Sequence, residues 1–461
     1  MTLICSPSPV FKPSFNNMYI IKPELLSPAG YLKNMRYAFA YGADAVYAGQ
    51  PRYSLRVRNN EFKRLENLAQ GINEAHALGK KFYLVSNIAP HNSKVATFID
   101  DIKPIIELNP DALIMSDPGL IMLIRENWPE IAIHLSVQAN VVNYATLQFW
   151  KNYGIKRVIL SRELSLDEIS EIRTHVPDIE LEVFVHGALC IAYSGRCLLS
   201  GYINHRDANQ GTCTNACRWK YDAIEATQTD SGDVIAVNHG GSTAQPQLGQ
   251  GATTDEIFLL QEPGRLEQFM PAYEDEHGTY IMNSKDLRAV QHVERFHKIG
   301  IHSIKIEGRT KSHYYVARTA QVYRQAIDDA ARNKPFDMDL MDQLENLASR
   351  GYTEGFYRRH VHDQYQNYEQ GNSSPSQQQF CGEIIDQHND LNMITVEVKN
   401  HFEIGDSLEL MTPAGNKTFT LTHMEDLNGN SQPVAPGSGY RVKIPFNHSR
   451  ELKYALLMRN F

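Results

Sequence analysis

Four of the six cysteines in this 461-residue chain are Cys190, Cys197, Cys213 and Cys217, spaced C-x6-C-x15-C-x3-C. Four thiolates can hold a zinc ion or an iron–sulfur cluster. Zinc knuckles favour two tight C-x2-4-C pairs, and only the second pair comes close to that. The wider first pair and the intervening loop suit a cluster better. A free cysteine is otherwise often a small buried hydrophobe. Only Cys5 and Cys381 lie elsewhere in the chain, and neither is expected to carry function. Val183, Phe184 and Val185 read as a short buried strand ended by His186 and Gly187. Gly195, Gly201 and Gly211 punctuate the stretch beyond it, so the cysteines are expected on turns and short helices after a strand.

Bulk properties bound the partners. A net charge of −8 gives no global basic field for nucleic acid, although an acidic protein can carry a local basic face. The hydrophobic share of 42% is ordinary for a globular protein, and no apolar run is long enough to span a membrane. The opening stretch MTLICSPSPVFKPSFNNMY lacks the charged and apolar regions of a secretory signal. Residues 1–19 read as a disordered leader. A cytoplasmic location is expected, where clustered cysteines are more often metal ligands than disulfides.

Something must position those residues, and the pattern from residue 20 onward supplies it. Apolar, β-branched runs at 23–30, 44–49, 81–87, 111–117, 131–140, 156–163, 179–187 and 301–309 read as buried parallel strands. Helical stretches alternate with them, near 62–78, 96–108, 144–153, 165–174, 285–298 and 312–333. Eight such units predict an α/β fold, a (β/α)8 TIM-like barrel, over residues 20–360. The cysteines fall in an insertion after the seventh strand, residues 187–283. Within it, YDAIEATQ and EIFLLQE read as hairpin strands around a Gly/Gln-rich loop at 238–254. After a helix near 337–348, residues 361–379 read as a polar linker. From 380 to 461, six short alternating strands predict a small C-terminal β-barrel.

A barrel places function at the C-terminal ends of its strands. Arg162, Glu163, His186, Glu307 and Arg309 fall there. Polar loop residues supply helix caps, which accounts for the serines at these ends but poorly for the charges. The arginines therefore read either as ligand-binding groups or as partners of Glu163 and Glu307. His186 reads as a proton carrier or as a satisfied core residue.

The stretch HGALCIAYSGRCLLSGYINHRDANQGTCTNACRW resembles the signature of the U32 peptidase family. PELLSPAG, DAVYAG, HLSVQAN, LSRELSLDEI, YIMNSKDL, IKIEGRTKS and SRGYTEGF resemble its other blocks, and the C-terminal strands resemble its C-terminal domain. The likeness is nearest to the branch for tRNA hydroxylation. Many relatives read SKDLC where this chain has Ser284-Lys285-Asp286-Leu287-Arg288, a departure that favours this branch over those for ubiquinone hydroxylation or collagen degradation. The resemblance implies a [4Fe–4S] cluster on Cys190, Cys197, Cys213 and Cys217. It also implies oxygen-independent conversion of the tRNA wobble uridine to 5-hydroxyuridine, with prephenate as cosubstrate.

On that basis Arg162, Glu163 and Arg309 are expected to bind the cosubstrate, the two arginines by gripping its carboxylates, and His186 or Glu307 to move a proton. Arg218, Lys220, Arg358 and Arg359, with Trp219 and Tyr357 interleaved, are expected to hold the anticodon loop. Two alternatives stand beside this. One is a U32-type peptidase, although the chain has no G-x-S-x-G and no H-E-x-x-H. The other is a non-catalytic RNA-binding protein with a structural metal.

Overall fold

The computed structural model describes residues 21–55, 60–189, 222–228, 234–236, 257–261, 269–275, 278–279, 286–347, 351–358, 378–446 and 452–461. Eight parallel strands form its centre: β1 (Glu24–Pro28), β2 (Ala45–Gly49), β3 (Lys81–Ser86), β4 (Ala112–Met115), β5 (Ile133–Leu135), β6 (Arg157–Ile159), β7 (Glu180–Ala188) and β8 (Ser303–Ile306). Each pairs with the next, and β8 also pairs with β1, Glu24 opposite Ser303 and Leu26 opposite Lys305. That last ladder closes the barrel. The helices that follow the strands are α1 (Leu32–Ala40), α2 (Leu65–Ala77), α3 (Phe98–Ile106), α4 (Pro118–Asn127), α5 (Tyr144–Asn152), α6 (Leu166–His175), α7 (Val293–Ile299) and α8 (His313–Ala331).

Local chemistry sets the helix starts. Asp117, Asn143, Ser165 and Ser312 each accept a hydrogen bond from a backbone N–H of the first turn. At α6 the arrangement is a full capping box, with Glu168 reaching back to the Ser165 N–H. Among the described residues, no helix is long and apolar enough to cross a membrane.

Three expectations change. The helix over 285–298 does not begin at 285. Asp286–Arg288 forms a strand antiparallel to the end of β7, and the α-helix starts only at Val293. Strand β7 runs beyond its barrel partners, and its open edge takes up this segment. The strand over 131–140 shortens to β5, because Ser136 and Gln138 leave the ladder to bond the Asn87 amide. The linker ends earlier than residue 379, since Gln378 already lies in the strand Gln378–His388 and is buried.

In the insertion, residues 222–226 pair antiparallel with 257–261 as expected, within a five-stranded sheet that also takes in Phe269–Asp275. The C-terminal strands form a six-stranded antiparallel sheet. Its two edges approach through side chains, with the rings of Phe419 and Phe446 5.2 Å apart. This domain packs on α1 and α8. Buried Arg318 donates to Glu409 at 2.7 Å and to Gln378 at 3.1 Å, and the Tyr41 hydroxyl donates to the Tyr454 carbonyl at 2.9 Å.

Candidate active site in the barrel mouth

The barrel interior is polar at its floor. Arg157 on β6 lies 2.6 Å from Glu24 on β1, 2.8 Å from Glu180 and 3.3 Å from Glu182. Since β6 and β1 are not neighbours in the sheet, the Glu24 contact crosses the lumen. Lys81 and the Tyr83 hydroxyl also bond Glu24. Burial raises the Glu24 carboxyl, but Arg157 and Lys81 outweigh it and hold the group below its ordinary range.

Above this floor sits Lys305 on β8. Its Nζ donates to Glu182 Oε1 at 3.0 Å and lies 4.4 Å from the centre of the Tyr47 ring and 5.4 Å from that of Phe184. Tyr47 is on β2, so Lys305 too points into the lumen. Burial lowers its ammonium against the opposing pull of Glu182.

The two arginines flank the same rings. Arg309 Cζ is 5.9 Å from the Tyr47 ring centre, and its Nη1 donates to Ser54 Oγ at 2.7 Å. Arg162 Cζ is 3.9 Å from the Phe184 ring centre, and its Nη1 donates to the Ala188 carbonyl at 2.8 Å. Arg162 Nε is buried with no partner among the described residues. Gly49 makes room for Arg309, since a Cβ there would stand 2.6 Å from both Arg309 Nη1 and Ser54 Oγ. On the opposite side of the mouth, Asn87 ties Ser136, Gln138 and Ser116 together.

Glu307 is buried beside them. Its N–H donates to the His186 carbonyl at 2.8 Å, and its own carbonyl accepts from the Tyr315 hydroxyl at 2.7 Å. The Tyr323 hydroxyl donates to the Val185 carbonyl at 2.7 Å, so α8 pins the ends of both β7 and β8. Gly187 at φ +101° lets the chain turn there, where a Cβ would lie 2.4 Å from the Glu307 carbonyl. Glu163 is half-buried next to Arg162.

His186 lies under α8, ringed by Tyr315, Tyr323 and Tyr352 at centroid distances of 5.8, 5.6 and 5.4 Å. A bulge opposite Lys305 and Ile306 sets His186 beside Ile306. Burial first, then Arg288 and Lys311, push its imidazole down to about 3. A ring so held is neutral at physiological pH and is not a general acid there. Its Nε2 is buried with no partner among the described residues.

The RNA-facing expectations divide. Arg358 ends a short 3-10 turn, exposed, 3.5 Å from Glu354. Tyr357 is not beside it as a platform. It is buried against Phe296 and donates its hydroxyl to the Phe184 carbonyl. Phe356, unremarked in the sequence, is the exposed aromatic of that turn. Cys190, Cys197, Cys213, Cys217, Arg218, Trp219, Lys220 and Arg359 lie outside the described residues, as do Cys5 and residues 1–19. Strand β7 and Leu189 bring the chain from the mouth to the position just before Cys190. Cys381 is a core thiol, raised to about 12 by burial, with contacts to two backbone carbonyls.

Sequence reasoning missed Lys305, Glu182, Arg157 and Tyr47. The available signal was a charged residue at alternate positions of otherwise apolar strands, as in Glu180-Leu181-Glu182-Val183 and Ile304-Lys305-Ile306.

Comparisons with known proteins place this site in context. The model for peptidase family U32 matches residues 30–367, and that for the U32 C-terminal domain matches residues 376–459. The chain is 66% identical to "tRNA hydroxylation protein P" of Escherichia coli strain K12, over 96% of this chain and 98% of that protein. It is 64% identical to the protein of the same name from Haemophilus influenzae, over 95% of this chain and 96% of that protein. A 30% identity to "23S rRNA 5-hydroxycytidine C2501 synthase" of Escherichia coli covers 72% of this chain and 42% of that protein.

Proposed function

The chain belongs to peptidase family U32, and we propose that it is a tRNA hydroxylase. It converts the wobble uridine of tRNA to 5-hydroxyuridine without molecular oxygen, taking prephenate as cosubstrate. The observation that carries this reading is the 66% identity, end to end, with a protein named for tRNA hydroxylation. The barrel mouth supports it. Arg162 and Arg309 present guanidinium groups whose planar forks match carboxylates, and the Tyr47 and Phe184 rings beside them suit an unsaturated six-membered ring.

Four thiols within residues 190–217 form a donor set that suits a [4Fe–4S] cluster, held by Cys190, Cys197, Cys213 and Cys217. When bound, such a cluster supplies one-electron redox capacity. The remaining work falls to the chain. Arg162 and Arg309 orient the dianion, and the buried walls around them exclude water. Glu307, on the β8 loop, is the residue that holds or moves a proton, since the His186 ring stays neutral at physiological pH. Arg358 and Phe356, with Arg218, Lys220 and Arg359, meet RNA phosphates and bases. A peptidase reading gains nothing from His186, whose ring contacts tyrosines, and no serine or thiol, among the described residues.

The test is deletion and complementation, with mass spectrometry of tRNA nucleosides. Loss of 5-hydroxyuridine derivatives is expected on deletion, with recovery by the intact gene and none by Cys190→Ala. Anaerobically purified protein is expected to hold about four iron and four sulfide per chain. Stoichiometric zinc without sulfide overturns the cluster, and unchanged wobble uridine in a strain with no second pathway overturns the function.

A further inference from the structure

We propose that Lys305 is the floor of the mouth's anion site, a third cation that receives the deeper carboxylate of a small dicarboxylate ligand. The proposal rests on the cosubstrate reading above and adds a residue and a depth to it.

Three observations meet at this side chain. The first is convergence on two rings. Lys305 Nζ lies within 5.4 Å of the centres of both Tyr47 and Phe184, while Arg309 flanks Tyr47 and Arg162 flanks Phe184. Two aromatic rings thus carry three cations supplied by β8, the loop after β8 and the loop after β6. Register fixes the depth. Lys305 is level with Phe184 across the β7–β8 ladder, whereas Arg162 bonds Ala188, four residues further toward the mouth.

The second observation is incomplete hydrogen bonding. An ammonium has three N–H donors. Among the described residues, Lys305 Nζ makes one hydrogen bond, to Glu182, and otherwise meets aromatic rings. Aromatic faces hold a cation loosely and leave its protons available to a stronger acceptor. The Glu182 carboxylate is also shared with Arg157 3.3 Å away, so it does not saturate the ammonium.

The third is cost. A buried Lys–Glu pair gains little stability over apolar residues of the same size. The floor is already closed by Arg157 and Glu24, and it does not need a second cation one layer higher. A ligand carboxylate gives that cation a purpose. Its distance from the arginines sets a preference for ligands with two acidic groups: one seats on Lys305, and the other stays with Arg309 and Arg162 at the rim.

Isothermal calorimetry of the anaerobically purified full chain tests this, with prephenate and fumarate as probes. Lys305→Met is expected to weaken prephenate binding at least tenfold. It should raise the KM for prephenate more than it lowers kcat and leave tRNA affinity unchanged. Lys305→Arg is expected to recover part of the binding. If Lys305→Met does not fold, Lys305→Met with Glu182→Gln removes both charges together and gives the same reading. Equal prephenate affinity in wild type and variant overturns the Lys305 site and leaves the cosubstrate reading standing. Fumarate binding that is lost in the variant, with no prephenate binding in wild type, supports the site and overturns prephenate. Failure of the wild type to bind either probe overturns both.

Discussion

Arg157 and Glu24 meet across the barrel lumen at 2.6 Å, joining two strands that share no backbone hydrogen bond. This contact does at the barrel floor what the β8–β1 ladder does along its wall, holding opposite sides of the closed sheet at a fixed separation. Three carboxylates depend on the one guanidinium. Removing it leaves Glu24 with Lys81 and buried Glu182 with Lys305 as their remaining counter-charges. Arg157→Leu is therefore expected to cost about 3–5 kcal/mol, the range for breaking a buried pair by taking one partner. Chemical denaturation reads this as a lower midpoint at neutral pH. Lowering the pH to protonate the carboxylates should narrow the gap between variant and wild type.

The mouth is more delicate than the floor, and Gly49 shows how. Its missing side chain is the space in which the Arg309 guanidinium meets Ser54. Gly49→Ala is expected to displace Arg309 and to press on buried Ser54, whose Cβ would lie 3.0 Å from the added methyl, at a cost of about 1–3 kcal/mol. Activity should fall far more than stability. A folded protein with a modestly lowered melt, together with a raised KM for the proposed carboxylate cosubstrate, is the signature. Unchanged kinetics would show that Arg309 does not bind ligand from this position.

His186 makes the fold sensitive to acid. Held neutral down to about pH 3 in the folded protein, it takes its proton near pH 6.5 once unfolded. Unfolding therefore takes up a proton between those values, and stability falls as pH drops from about 6.5 toward 3. The loss from this one group approaches about 1.4 kcal/mol per pH unit across the window. His302, lowered to about 4 mainly by burial, acts with the same sign. His186→Phe is expected to lessen the loss of stability between pH 6.5 and 5 in urea titrations and to leave the slope above pH 7.5 unchanged. A variant as acid-sensitive as wild type would show that His186 is protonated or solvated in the native state.

The barrel was readable because its strands are apolar runs closed by glycine or polar residues, and because Ser165 and Glu168 spell out a helix start. The segment after residue 285 was not. Its apolar spacing suits a helix, but the open edge of β7 claims Asp286–Arg288 for a strand, and no local pattern announces a partner almost a hundred residues away. The charged floor was invisible for a related reason. Glu24, Arg157, Glu182 and Lys305 are scattered through the chain and become one network only when the barrel closes. Arg162 and Arg309 stood out because each follows a strand directly. Tyr357 misled because an aromatic before two arginines looks like a stacking platform. The direction of its ring is set by a single 3-10 turn.

That turn yields the last prediction. Tyr357 and Phe356 are adjacent and face opposite environments, one buried against Phe296 and the other exposed beside Arg358. Tyr357→Phe removes the hydroxyl that bonds the Phe184 carbonyl and leaves that acceptor buried. The expected cost is about 1–3 kcal/mol of stability, with tRNA affinity unchanged wherever the protein stays folded. Phe356→Ala with Arg358→Ala should do the reverse. Stability should stay within about 0.5 kcal/mol, because both side chains are exposed. tRNA binding should weaken, and its dependence on salt should become shallower as one phosphate contact is lost. Filter binding across a salt series, set beside thermal melts, separates the two outcomes. If the double variant binds tRNA as wild type does at every salt concentration, this turn is not part of the RNA surface, and the grip lies with Arg218, Lys220 and Arg359.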